Sequence, residues 1–315
     1  MGKASDEGID NDYSQQYLTF EALEDTSFSL KTPEGAFSYV KNFSYSLDNG
    51  ITWQEGTETP IIKSGEKVLW KATSTRYAYN ENLGSTFKST GNYNVSGNIL
   101  SLVYGDNFLF EQTIGDYCFC RLFNEAKIIE AQNLILAATE IGIYAYGYMF
   151  QSCNQMINAP VIRATKLKDA CCSFMFKYCS SLQKTPILPA VDTATYCYRD
   201  MFNGCSNLVE ISEIAAQKVY NSSCAYMFSS CSKLETTPIL HATNLDASSY
   251  YRMFYNCSKL REVKTMALDV SKTNCLYQWL YGVSSNGVFY KDAKMTSFPV
   301  GASGIPSGWT VLNLN

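Results

Sequence analysis

The sequence predicts a mainly β chain with three parts in order: an antiparallel sandwich, a solenoid of stacked repeats, and a cap over the last repeat. Two patterns carry that reading. Met-Phe recurs at Met149, Met175, Met201, Met227 and Met253, always 26 residues apart. Before it, from Tyr17 to Leu102, apolar residues follow period two and cysteine is absent. The length of 315 residues suits about two domains at ~150 residues each. With 46% apolar and 17% charged residues, the chain has the composition of a folded protein with a large core.

Residues 1–13 are polar and are expected to form a flexible tail. They hold no apolar stretch of the kind a secretion signal needs, which fits either a cytosolic chain or one whose signal has been removed. Residues 14–104 read as short strands. Leu18, Phe20 and Ala22, then Phe43, Tyr45 and Leu47, then Val68, Trp70 and Ala72 put apolar side chains on one face of each strand. Asp48-Asn49-Gly50 marks a hairpin turn between two of them. About 90 residues of this kind suit an immunoglobulin-like β-sandwich without a disulfide.

Residues 105–282 are expected to form the solenoid. Each Met is followed after four residues by Cys153, Cys179, Cys205, Cys231 or Cys257, and after seven by Met156, Leu182, Leu208, Leu234 or Leu260. Thirteen residues on come Ile162, Leu188, Ile214, Leu240 and Met266, and fifteen on come Ala164, Ala190, Ala216, Ala242 and Leu268. Units of 20–29 residues are the length of leucine-rich repeats, which stack because one unit cannot bury its own apolar face. A short parallel strand is expected within Leu182–Leu188, and a turn or two of helix or 3₁₀ within Thr193–Phe202. Six rungs at ~4.8 Å give a rod about 30 Å long. Residues 283–315 leave the period and read as the C-terminal cap, with strands at Val288–Tyr290 and Thr310–Leu314 and Trp309 plugging the core.

Composition narrows the chemistry. There are 25 Lys and Arg against 29 Asp and Glu, with no basic block for nucleic acid. No apolar run approaches the ~18 residues of a membrane span. A single histidine, His241, excludes two-histidine metal sites. All 12 cysteines lie in the repeat half, and most keep a fixed place in the unit. They read as buried free thiols rather than as a disulfide framework or metal site. No metal and no cofactor is expected.

The motif Met-Phe-x-x-Cys-x-x-Leu, with Thr-Pro-Ile-Leu-x-Ala and Cys-Tyr, resembles the BspA-like leucine-rich-repeat proteins over about residues 117–282. Ser212-Glu213 and Lys264-Thr265 depart from its Pro-Ile, and Ala126 stands where the first cysteine belongs. The resemblance implies a secreted or surface-tethered bacterial protein, often a lipoprotein, used in adhesion, with an immunoglobulin-like domain ahead of the repeats. Ser46-Leu47-Asp48-Asn49-Gly50-Ile51-Thr52-Trp53 is similar to the Asp-box of sialidase hairpins. It occurs once here, and it points to a stiffened turn rather than to sialidase activity.

The expected function is therefore non-catalytic binding by outward residues after each repeat leucine: Asn158, Lys184, Glu210, Thr236 and Glu262. Mixed charge in these columns suggests a protein partner, a host matrix or cell-surface protein, with a glycan as the second class. The protein is expected to be a monomer, secreted or at the cell surface. The alternative is a carbohydrate-binding protein or a carboxylate-based glycosidase using Glu210 and Glu262, about 10 Å apart.

Overall fold

A computed structural model describes residues 12–33 and 39–314, so most of the expected tail lies outside the described residues. Described residues begin with a 3₁₀ turn at Tyr13–Gln15, capped by the Asp12 side chain. The N-terminal strands are β1 (Leu18–Ala22), β2 (Phe28–Lys31), β3 (Ser44–Ser46), β4 (Gln54–Glu55), β5 (Lys67–Lys71), β6 (Thr86–Ser89) and β7 (Tyr93–Asn98). One helical turn, α1 (Ser101–Tyr104), leads to β8 (Thr113–Ile114), β9 (Asn133–Leu136), β10 (Glu140–Ile141), β11 (Val161–Ile162) and β12 (Lys166–Leu167). Then come β13 (Thr236–Leu240), β14 (Glu262–Thr265), β15 (Val288–Lys291) and β16 (Thr310–Asn313). The chain is mostly β with very little helix, and its repeats wind into a β-solenoid of about eight turns. That exceeds the six rungs expected, because the count from the motif leaves out turns that lack it.

Alternation does its work in the N-terminal part. Leu18, Phe20, Ala22, Val68, Trp70 and Ala72 are all buried; Leu47 is exposed because it has left β3 for the hairpin turn. Strands β4, β3, β5, β1 and β7 pair antiparallel in that order. β2 and β6 pair separately and pack on them through Phe28 and Phe87, whose rings lie 5.2 and 4.8 Å from Phe20. β7 then pairs in parallel with β9, and β9 with β11. One seven-stranded sheet thus runs from the first strands into the solenoid.

The return segments are not helical. Each is a ribbon of overlapping four-residue turns in which every second N–H bonds within the turn and the others bond the next turn of the solenoid. Gly147 N bonds Tyr144 O and Met149 N bonds Tyr146 O, while Tyr148 N bonds Ser173 O and Phe150 N bonds Met175 O, all at 2.9–3.2 Å. Every fourth residue is left-handed: Tyr144, Tyr148 and Ser152 in one turn, Ala170, Phe174 and Tyr178 in the next, with φ between 49° and 63°. Each such residue costs about 1–2 kcal/mol when it is not glycine. The ladder between turns and the packing beneath it offset that cost. Helical periodicity and this ribbon both bring Tyr, Cys, Met and Phe inward at short spacing, which is why the sequence reads as helix.

Beneath the ribbon runs a spine of phenylalanines. Phe87, Phe123, Phe150, Phe176, Phe202, Phe228 and Phe254 stack ring on ring at 5.3–5.6 Å with planes within 15° of parallel. All 12 cysteines are free and buried. Those in the repeat column donate S–H to the phenylalanine carbonyl of the preceding turn: Cys179 to Phe150 at 3.0 Å, Cys205 to Phe176 at 3.2 Å. Ala126 stands at this position in the first unit, which no repeat turn precedes.

In the last repeat the inward columns slip by one residue. Thr236 faces Glu262, but Ile239 faces Lys264 and Leu240 faces Thr265, so β13 carries a bulge around Thr237-Pro238. Pro238 has no N–H for the ladder, and a bulge is where a strand tolerates it. Thr265 and Ala267 are therefore buried in place of Met266 and Leu268, correcting the expected columns; Leu268 is exposed. β15 and β16 extend this sheet in parallel, and Trp309 is buried with its Nε1 on Ser284 O at 2.8 Å.

Two outcomes follow. Phe176→Ala, between two stacked rings, should lower unfolding free energy by about 3–5 kcal/mol in urea; a loss below about 1 kcal/mol would deny the spine its role. Burial pushes the Cys153 and Cys257 thiols up from 9.0 to about 12. The native state keeps them neutral where the unfolded chain ionises them, so their effect on stability should be level between about pH 6 and 8 and turn unfavourable as pH rises through the range 9–12. Each such thiol contributes up to ~1.4 kcal/mol per pH unit there. Stability that stays level up to pH 11 would contradict this.

Candidate functional site

Asn158, Lys184, Glu210, Thr236 and Glu262 occupy one repeat position in five successive turns. The structure joins Glu130, Asn158, Lys184 and Glu210 by single parallel bridges, and Thr236 with Glu262 in the β13–β14 ladder. No bridge joins Glu210 to Thr236. Leu182, Leu208, Leu234 and Leu260 are buried two residues earlier, which turns the candidate residues outward.

Their charges are largely spent on each other. Lys184 Nζ lies 2.7 Å from Glu210 Oε1, and Asn158 Nδ2 donates to Glu130 Oε2 at 2.8 Å. Arg261 pairs with Glu235 at 2.7 Å and Lys264 with Glu262 at 2.6 Å. Glu262 borders a hollow of about 500 Å³ with Thr236, Arg261 and Asn286, but Glu210 is not among its lining residues. Glu210 and Glu262 thus do not flank this hollow together, as a pair of catalytic carboxylates would. Asn158 and Lys184 border another hollow of about 310 Å³, walled by Pro160, Ile162, Pro186 and Ile187.

A second face escaped the sequence reading. On the turn ribbon, some left-handed residues and their neighbours are partly exposed and gather aromatic rings with cations. Tyr148 stacks on Phe174 at 4.6 Å, and the Arg121 guanidinium sits 4.7 Å above Tyr148. Further along, Arg252 lies 4.9 Å from the Tyr255 ring and 5.5–5.8 Å from Tyr251, Tyr226 and Tyr277, with Nε donating to Gln278 at 2.8 Å. Desolvation raises the Tyr148 hydroxyl to about 12, so it stays a neutral donor. The available signal was the 26-residue spacing of Tyr226, Arg252 and Gln278, which belongs to no inward column.

The Asp-box is a turn lock. Asp48 accepts from Thr52 N and Oγ1 at 2.9 and 2.6 Å and from Ser46 Oγ at 2.8 Å, which lowers its carboxyl to about 2. Among the described residues no group of three or more His, Cys, Asp or Glu is placed to hold a metal ion. No helix among them is long and apolar enough to cross a membrane. Comparison with family models, with curated proteins and with solved structures finds no match.

The Lys184–Glu210 pair, more than half exposed on both sides, gives a direct check on this face. A double-mutant cycle to alanine should return a coupling of about 0–1 kcal/mol by urea unfolding. A coupling of several kcal/mol would make the pair a structural strut instead of a surface free to be recognised.

Proposed function

We propose that the chain is a non-catalytic binding protein that presents its solenoid surface to a protein partner. The observation that carries this reading is the half-buried tyrosine–arginine face of the turn ribbon. Tyr and Arg are enriched among the residues that supply most binding energy at protein interfaces; tyrosine covers much area at little side-chain entropy cost, and arginine adds planar hydrogen bonding and stacking. The ordered turns beneath hold these rings in place before any partner arrives, which lowers the cost of association. The outward column of Asn158, Lys184, Glu210, Thr236 and Glu262 supplies a second candidate face, one of local charge pairs without a uniform field.

The BspA-like repeat motif supports a finer reading: an adhesion protein of a bacterial surface or secreted, possessing an immunoglobulin-like sandwich ahead of leucine-rich repeats, and acting as a monomer on a host matrix or cell-surface protein. The pairing of Glu210 with Lys184 and of Glu262 with Lys264 favours binding over carboxylate catalysis, since each candidate acid carries its own counter-ion.

A binding screen of the full chain against immobilised matrix and cell-surface proteins tests this. At least one should bind, and Tyr251→Ser with Tyr255→Ser should weaken that binding about tenfold or more, a loss of ~1.4 kcal/mol or more. Loss through Lys184→Glu, Glu210→Lys and Glu262→Lys instead would move the site to the strand column. Binding to none of them, together with turnover of chromogenic glycosides, would overturn the reading.

A further inference from the structure

The third ladder of the solenoid carries Glu140, Lys166, Asp192, Lys218 and Asn244 at steps of 26 residues. Its first four members pair off: Lys166 lies 3.4 Å from Glu140, and Lys218 3.4 Å from Asp192. The alternation then stops at Asn244, where a hollow of about 840 Å³ opens. Apolar Val191, Val219, Leu245 and Met266 form its walls beside Tyr220. That volume falls in the ~300–1,000 Å³ range of small-ligand sites.

The hollow lies where the chain has passed the bulge at Thr237-Pro238. The bulge shortens the following strand by one residue, so Asn244 faces Asp269, 25 residues on. The left-handed positions Ser248 and Asn274 are back in step at 26, so the missing residue is returned in the loop between Asp269 and Asn274. That lengthened loop brings Lys272 to the rim. Bulges commonly re-aim side chains beside functional sites.

We propose that this hollow binds an oligosaccharide. Among the described residues, four lining side chains, Gln217, Tyr220, Asn244 and Lys272, are exposed and make no hydrogen bond or ion pair, and His241 makes none either. They are unspent donors and acceptors in a molecule whose other ladder charges are mostly paired. Asp192, Asp246 and Asp269 add acceptors, and with Lys218 and Lys272 the charge nearly balances, so no field selects a polyanion. Part of the backbone here is tied into the ladder: Gln217 N and Lys218 N bond Val191 O, and Leu268 N and Asp269 N bond Thr243 O. Hydroxyls on one edge and C–H groups on the faces of a pyranose match these polar tips, the apolar wall and the Tyr220 ring. A second hollow of about 510 Å³ shares Val191 and Asp192 and continues the groove along the ladder. Its rungs repeat at ~4.8 Å, close to the advance of one pyranose in an extended chain.

The test uses the full chain and saturation-transfer NMR with cellotriose, chitotriose, mannotriose, xylotriose and maltotriose at millimolar concentration. At least one should bind, and Tyr220→Ala and Asn244→Ala should each weaken it about tenfold, equivalent to ~1.4 kcal/mol. Both residues are exposed, and unchanged thermal unfolding shows that the variants fold. The Lys184→Glu, Glu210→Lys, Glu262→Lys variant and the Tyr251→Ser, Tyr255→Ser variant should bind the sugar normally, which separates this site from the protein-binding faces. Binding of none of the five, or binding that survives both cavity substitutions, overturns the proposal.

Discussion

Hydrogen bonds along the turn ribbon set the geometry on which the rest of the solenoid depends. Tyr148 N to Ser173 O, Phe174 N to Arg199 O and Asp200 N to Ala225 O tie each turn to the next at the same offset of 25 residues. A unit of any other length would break the series or force a compensating loop. Once the offset is held, identical positions must lie above one another, and only side chains that stack on copies of themselves fit the interior. Flat phenylalanine rings meet that condition at 5.3–5.5 Å through the repeats. Cysteine meets it in a different way, filling a small apolar space while giving its S–H to the phenylalanine carbonyl below.

The same ladder leaves unlike ends. At the N-terminal end, Tyr77 N bonds Cys118 O at 2.7 Å and Phe87 N bonds Leu122 O at 2.8 Å, so the N-terminal strands satisfy the first turn's carbonyls. Phe87 also begins the phenylalanine spine. The N-terminal part therefore covers the solenoid's first edge, and the two share sheet and core. At the other end the N–H groups of Leu276, Gln278 and Leu280 meet no carbonyl among the described residues. Trp279 Nε1 bonds Gly304 O at 2.9 Å, and Phe298 and Ile305 shield the core without continuing the ribbon.

Much of this was legible in the sequence because a repeat reports its own interior. The Met, Phe, Cys and Leu columns are buried wherever the 26-residue step holds, and the alternation of Leu18, Phe20 and Ala22 marks a buried strand face. The ribbon was not legible, since a left-handed residue every fourth position leaves no mark when Tyr, Ser, Asp or Arg occupies it in place of glycine. Nor was the slip at Pro238: Met266 and Leu268 preserve the apolar column, while Thr265 and Ala267 take the interior. Small Thr265 and Ala267 fit there, and Leu268 is left in solvent.

The outward residues are harder to read for a related reason. Inward positions are constrained by stacking and so repeat; outward positions are constrained by their neighbours one turn away and so alternate. Glu140 with Lys166, Asp192 with Lys218 and Lys184 with Glu210 are pairs of this kind, each closing a local charge balance. Such pairs contribute little stability, and they leave little for a ligand to use. Recognition is then best sought where the pairing lapses. It lapses on the turn ribbon, where Arg252 rests on tyrosine rings beside a neutral glutamine, and at Asn244, where a rung without charge follows a bulge that the repeat itself does not require.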